Sequence, residues 1–219
     1  MCRKIVASLT IHKDMQLVEI GPGGGAITKY LLELEDVQYK AIEIDDEKVV
    51  YLKNTYPVLI NKIIHKDILQ ADVPFEGHFS VIGNFPYNIS SPILFKVLDW
   101  EPQVDEVIGM FQKEVAQRVA CKEGSKTYGI LSVLMQAFFD VSYLFDVHEN
   151  CFTPPPKVKS GVLRLTNTHN KWEITDKKSF IRLVKAAFNQ RRKTLRNALK
   201  GTLSPEALTA AISEKRAEQ

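Results

Sequence analysis

Met15-Gln16-Leu17-Val18-Glu19-Ile20-Gly21-Pro22-Gly23-Gly24-Gly25 decides the fold of this 219-residue chain. Residues 15 to 20 read as a strand, the glycines as a turn, and Ala26 to Glu33 as a helix. A strand, a glycine turn and a helix in that order put backbone where it must bend sharply and approach a ligand closely. The start of the helix adds N–H groups without partners. On the glycines alone two kinds of ligand remain open, because Gly21, Gly23 and Ala26 also fit the dinucleotide pattern Gly-x-Gly-x-x-Gly/Ala.

Working outward, strands and helices alternate through the first two-thirds of the chain. Strands are expected at about 15–20, 38–43, 60–65, 79–84 and 104–111, with helices over Asp46 to Asn54, Pro92 to Asp99, Lys113 to Cys121 and Ile130 to Phe138. Val141 to Val147 and Gly161 to Thr166 read as two further strands, suited to antiparallel pairing at the sheet edge. The expected architecture is α/β: a mostly parallel seven-stranded sheet with helices on both faces. Between the last two strands Pro154, Pro155 and Pro156 fit neither a helix interior nor a central strand and mark an extended loop. From Thr175 the chain turns helical. Asp176 is placed to cap a helix running to about Asn189, and Ser204-Pro205-Glu206 has the favoured order for another helix start. We therefore divide the chain into 1–167, a sheet domain, and 168–219, a small basic all-helical domain.

Charge supports that division. Residues 1–150 carry 14 Lys/Arg against 21 Asp/Glu, a net −7, whereas residues 151–219 carry 15 against 5, a net +10. An acidic body with a basic tail points to a polyanionic partner. Cys2, Cys121 and Cys151 are odd in number without Cys-x-x-Cys spacing, and the histidines stand singly, so neither a disulfide framework nor a metal site is expected. No apolar run approaches the length needed to span a bilayer. These features lead to the expectation of a soluble, cytoplasmic protein without membrane contact.

Three acids narrow the ligand. Glu19 adjoins the glycine loop, Glu43 ends the second strand where it could bind both hydroxyls of a ribose, and Asp67 follows the third strand within reach of an adenine amino group. Gly21, Pro22, Gly23, Ile44 and Ile68 complete the set. A pyrophosphate would be poorly served by so many carboxylates. S-adenosylmethionine, with a sulfonium, an ammonium, one carboxylate and no phosphate, fits better.

After the fourth strand, on the same sheet edge, comes Asn84-Phe85-Pro86-Tyr87. The exocyclic amine of adenine is a poor nucleophile because its lone pair is delocalised into the ring. If the Asn84 oxygen and the Phe85 or Pro86 carbonyl accept its two hydrogens, the nitrogen can become more tetrahedral and attack a methyl group; orientation of this kind contributes several kcal/mol. Pro86 stiffens the turn. Tyr87 can stack on the base, worth ~1–3 kcal/mol.

These blocks resemble the ribosomal RNA adenine dimethyltransferases, the family named for kasugamycin sensitivity in bacteria. The resemblance covers most of residues 3–166. It rests on Val18-Glu19-Ile20-Gly21-Pro22-Gly23, Glu43-Ile44-Asp45, Asn84 to Ser90, Gln112 to Arg118, Tyr128-Gly129-Ile130-Leu131-Ser132 and Phe152-Thr153-Pro154-Pro155-Pro156-Lys157-Val158, in the family's order. It implies a Rossmann-like class I methyltransferase that dimethylates N6 of two adjacent adenosines in a hairpin loop near the 3′ end of small-subunit ribosomal RNA. It also implies that Phe152 packs on the flipped base opposite Tyr87, that the partner is an immature 30S-type subunit, and that the enzyme is monomeric. The chain departs from the family at both ends. A preceding Gln-x-Phe-Leu segment that helps close the cofactor pocket is missing, so weaker cofactor binding is expected, and the helical tail stops early. Phe85 also replaces a commoner Leu, which is expected to change pocket shape more than chemistry.

In the tail, Arg182, Lys185, Arg192, Lys193 and Arg196 recur at helical intervals beside Arg191, a stripe able to track phosphates. Phe180, Leu183, Val184, Ala187 and Phe188 take the other face, expected to pack on the body. RNA loops offer unstacked bases, as a site that accepts an extruded adenosine requires. The alternatives are a large-subunit adenine methylase of the macrolide-resistance type, a ribosome-assembly factor without catalysis, and a nicotinamide-dependent dehydrogenase.

Overall fold

The computed structural model describes residues 1–152, 156, 158–190 and 193–211. Seven strands among them form one sheet: β1 (Met15–Ile20), β2 (Val37–Glu43), β3 (Ile63–His65), β4 (Phe79–Asn84), β5 (Val104–Gln112), β6 (Phe139–Val147) and β7 (Ser160–Asn167). Their order is β3-β2-β1-β4-β5-β7-β6. The first five are parallel, and β7 runs antiparallel to both β5 and β6, as the alternation of elements predicts.

The strands are apolar almost throughout because both faces of the sheet are covered, and the period of two sends successive side chains to opposite cores. Val18, Val81, Val107 and Leu163 enter one core; their neighbours Leu17, Ile82, Ile108 and Val162 enter the other. The second core is closed by α1 (Cys2–Val6), α2 (Thr28–Leu31) and α3 (Asp46–Thr55), through Ile5, Leu31 and Leu52. On the first lie α4 (Ser90–Asp99), α5 (Lys113–Ala120) and α6 (Ile130–Phe138), through Leu94, Ala116 and Leu134. Asp45 caps α3, accepting the Lys48 N–H at 3.0 Å.

The expected helix from Ala26 to Glu33 is reduced to Thr28–Leu31. Its approach is a run of turns, with Gly21, Gly23 and Gly25 all at positive φ and the Gly25 N–H bonded to the Pro22 carbonyl at 2.9 Å. The third strand begins at Ile63 rather than residue 60, since the Lys62 N–H closes a turn on the Leu59 carbonyl. Two short helices, α1 and α8 (Leu195–Ala198), escape the sequence pattern because four or five residues are too few to show a period.

In the tail α7 (Lys177–Asn189) starts on an Asp176 cap, and the Ser204 hydroxyl accepts the Ala207 N–H at 3.2 Å to open α9 (Pro205–Ala211), both as expected. Phe180 packs edge-on against Phe138, and Val184 joins the first core. Ala187 and Leu183 join a satellite cluster with Leu199 and Leu208. Lys177 pins the helix start to Glu101 at 2.8 Å and to the Leu98 carbonyl at 2.6 Å. Thr153, Pro154, Pro155, Lys157, Arg191 and Arg192 lie outside the described residues.

The chain winds outward from β1 through β2 to β3, then returns to place β4 on the other side of β1. The crevice at the carboxyl ends of β1 and β4 is the switch point where open α/β sheets bind ligands. Just beneath it Gly83 and Gly109 pair across β4 and β5. A Cβ on Gly83 would stand 2.6 Å from the Ile20 carbonyl, and one on Gly109 2.6 Å from the Phe85 ring and 2.5 Å from Phe111. The two rings fill that gap edge to face, with centroids 5.0 Å apart. Gly109→Ala is expected to lower the unfolding free energy by about 1–3 kcal/mol through overpacking. Gly24→Ala, with nothing within 4 Å, should leave it unchanged in the same denaturant titration; equal effects would rule out the packing role of Gly109.

Candidate active site

Three cavities meet at the switch point. The first, about 370 Å³, is lined by Glu19, Gly21, Pro22, Gly23, Asn84, Met110 and Phe152 among others. A second, of about 240 Å³, lies between Gly21, Ile42, Glu43, Ile44, Asp67, Ile68, Pro86 and Ile93. The third, about 320 Å³, is bounded by Asn84, Phe85, Pro86, Tyr87, Phe152 and Pro156. Gly21 is common to the first two, Pro86 to the last two, and Asn84 with Phe152 to the first and third. One ligand can therefore lie across the first two cavities while a planar group in the third reaches it past Asn84. All the residues expected for cofactor and base are brought to this crevice. A larger cavity of about 740 Å³, among Tyr128, Phe139, Asp140 and Trp172, lies at the start of β6, the other end of the sheet.

The acids differ in what they do. Glu43 is 7% exposed, and both its oxygens accept backbone N–H groups: Gly23 at 3.0 Å on one, Ile44 at 2.9 Å and Asp45 at 3.0 Å on the other. The carboxylate thus ties the glycine loop to the end of β2, and a ribose there must share the Gly23-bound oxygen. Asp67, on the wall of the second cavity, accepts the Leu69 N–H at 2.9 Å with one oxygen, and the other accepts nothing among the described residues. That cavity's wall is apolar, with Ile44 62% exposed at its rim, as suits the faces of a purine ring. Among the described residues Lys66 carries the sole cationic side chain on these walls, and it is paired with Asp72 at 3.0 Å. The donor set fits a cationic adenosyl ligand rather than a pyrophosphate.

Glu19 is 1% exposed, and one of its oxygens accepts the hydroxyls of Thr28 at 2.8 Å and Tyr39 at 2.6 Å. Burial pushes its pKa up to about 7, the two hydroxyl bonds oppose the rise, and Glu43 adds slightly to it.

At the third cavity the Asn84 amide is exposed and makes no hydrogen bond among the described residues, so its oxygen and nitrogen stay available. The two candidate carbonyls separate. Pro86 accepts the Ile89 N–H at 3.1 Å and the Ser90 hydroxyl at 3.1 Å, whereas Phe85 accepts nothing among the described residues. The Phe85 ring, 1% exposed, lies in the core over Gly83 and Gly109, and the residue also borders the third cavity. The Tyr87 and Ser160 hydroxyls share a hydrogen bond of 2.5 Å, which sets the tilt of the Tyr87 ring on the same cavity as Phe152. Sequence reasoning missed Thr28, Tyr39 and Ser160, whose hydroxyls bond to residues of other elements, and Cys2, Met110 and Cys151 on the first cavity wall.

On α7, Arg182 and Lys185 are exposed and the Lys185 ammonium lies 5.0 Å from the Phe95 ring centroid; Lys193 is exposed and Arg196 half-buried.

Over residues 1–219 the chain matches the model of the family described as ribosomal RNA adenine dimethylase. It belongs to that family. Two proteins named ribosomal RNA small subunit methyltransferase A are similar to this member across its whole length. That of Cytophaga hutchinsonii is 52% identical with 86% of its own length covered, and that of Flavobacterium johnsoniae 50% with 85% covered. A dimethyladenosine transferase from Plasmodium falciparum superposes with a TM-score of 0.79 at 29% identity, over 91% of this chain and 72% of that one. The 23S rRNA methyltransferase ErmE superposes at 0.76 with 21% identity, over 99% and 90%, a likeness of fold.

Glu19 has a consequence for stability. A carboxyl whose folded pKa is raised keeps its proton where the unfolded chain has lost it, so its contribution is full below pH 4.5 and is lost as pH rises to about 7. In cofactor-free protein, Glu19→Gln is expected to gain about 3 kcal/mol on the wild type between pH 4 and pH 8. Parallel stability curves for the two proteins would exclude a buried, proton-holding Glu19.

Proposed function

We propose that this dimethylase uses S-adenosylmethionine to dimethylate N6 of two adjacent adenosines in a hairpin loop near the 3′ end of small-subunit ribosomal RNA. The observation that carries the reading is the unpartnered Asn84 amide on the wall common to the cofactor cavity and the base cavity. When bound, S-adenosylmethionine supplies a methyl group made electrophilic by its sulfonium. Gly21, Pro22, Gly23 and Glu19 would hold its amino-acid end, and Glu43, Ile44, Asp67 and Ile68 its nucleoside.

The chain's own residues do the rest. Tyr87 and Phe152 hold the extruded adenine by its faces. The Asn84 oxygen and the free Phe85 carbonyl accept the two N6 hydrogens, drawing the lone pair out of the ring toward the cofactor cavity. Pro86 keeps the intervening turn rigid, and its own carbonyl, engaged by Ile89 and Ser90, fixes where the turn ends. No strong base is required, since a nitrogen gaining a methyl group readily yields its proton to water. Arg182, Lys185, Arg191, Arg192, Lys193 and Arg196 bind RNA phosphates within a basic helical domain, 168–219, attached to the methyltransferase domain, 1–167. On this reading the partner is the immature 30S-type subunit, met by a monomeric enzyme in the cytoplasm. No helix among the described residues is long and apolar enough to cross a membrane.

With labelled cofactor and immature small subunits, label is expected in N6,N6-dimethyladenosine; label only with large subunits would overturn the choice of target. Asn84→Ala is expected to lose methyl transfer by a factor of about 10² or more while RNA binding persists. Unchanged turnover would remove Asn84 from the mechanism. Lys185→Gln should weaken binding of small-subunit RNA and reduce the log K against log salt slope by about 1; an unaltered slope would exclude a phosphate contact there.

A further inference from the structure

Thr28 and Tyr39 touch none of the three cavities, yet both spend their hydroxyls on Glu19. They come from different elements. Tyr39 lies on β2 opposite Leu17, so it shares a sheet face with Glu19 two residues further along β1, and Thr28 opens α2 beyond the glycine loop. All three are buried, Thr28 completely and Tyr39 to 4% exposure. Both hydroxyls donate to the same carboxylate oxygen. The other accepts nothing among the described residues, and Glu19 lines the first cavity. A buried acid would be held more cheaply by one bond to each oxygen or replaced by an amide. Loading one oxygen twice leaves the second as an acceptor presented to the cavity.

The surroundings of that oxygen select a cation. The first cavity has no lysine, arginine or histidine side chain among its described walls; its other ionisable groups are the Cys2 and Cys151 thiols and the Met1 amino group. Glu43 stands across the loop on β2, holding Gly23. Burial and the adjoining carboxylate keep the Tyr39 phenol protonated far above its ordinary range, so Tyr39 donates at every working pH.

We propose that Tyr39 and Thr28 are positioning residues for the cofactor, holding Glu19 ionised and aimed so that its second oxygen receives the ammonium of the ligand's amino-acid end. The proposal rests on the cofactor reading above and adds residues that never meet the ligand. Because both bonds favour the charged carboxylate, removing one makes Glu19 harder to ionise, and the loss is felt only by a ligand that carries the ammonium.

Calorimetric titration of the whole chain between pH 6 and pH 8.5 separates this from a structural role. Two probes are used: S-adenosylhomocysteine, and 5′-methylthioadenosine, which keeps the nucleoside and lacks the amino-acid end. Wild-type affinity for S-adenosylhomocysteine should rise with pH through neutrality, and that for methylthioadenosine should stay flat. Tyr39→Phe should weaken S-adenosylhomocysteine about tenfold at pH 7 and move the rise to higher pH, with less than about a twofold change for methylthioadenosine. Thr28→Val should act in the same direction, and Thr28→Ser should restore the wild-type profile. Equal loss for both probes would make the pair structural and overturn the proposal. So would an unmoved pH profile, or an affinity for S-adenosylhomocysteine that rises as pH falls. Failure of the wild type to bind S-adenosylhomocysteine at any pH would instead overturn the cofactor pocket, and the positioning role with it.

Discussion

The Phe85 ring, buried over the paired glycines Gly83 and Gly109 and against Phe111, is the contact on which the turn Asn84-Phe85-Pro86 depends. Asn84 and Pro86 stand exposed on either side of it. A turn with two exposed residues out of three has little of its own to hold it, and conformational entropy would spread it over many states. Seating the middle residue in a close-packed core removes that freedom, because interiors of this density do not yield by even a methylene. The Asn84 amide and the Phe85 carbonyl are thereby set before any ligand arrives, which is what the proposed catalysis by orientation requires.

Around this anchor the site is built by carboxylates turned to different ends. Glu43 spends its lone pairs on three backbone N–H groups and makes the glycine loop a fixed wall. Glu19 is buried against its own preference for water, with hydroxyls from two other elements on one oxygen. The stability lost by ionising it is spent where a cationic ligand can recover it. Sites of this kind are where a fold departs from the most stable choice of residue.

Much of the architecture was legible from residue order. Seven strands, their mostly parallel arrangement and the antiparallel edge follow from apolar runs of strand length alternating with helical periods, and Asp176 and Ser204 mark their helices as capping chemistry predicts. The lining of the crevice was legible where its residues are local, in the glycine loop, in Glu43 and Asp67 at strand ends, and in Asn84 to Tyr87. It was not legible where a partner lies far along the chain. Nothing around Ser160 announces a bond to Tyr87 73 residues earlier, and nothing around Tyr39 announces Glu19. Nor does the motif announce that the Phe85 ring seats over Gly83 and Gly109, since Gly109 lies on another strand.

By itself the sequence determined what depends on residue type and short spacing: the sheet and its helices, the ligand edge, the acidic body with its basic tail, and an acceptor and aromatic set suited to an adenine amine. Tertiary structure alone decided which groups remain free to act. Hydrogen bonding is a competition within the folded chain. Only with β1 and β2 side by side and α2 packed beside them is one Glu19 oxygen doubly bound and the other left free, and only with β7 folded back does Ser160 meet the Tyr87 hydroxyl.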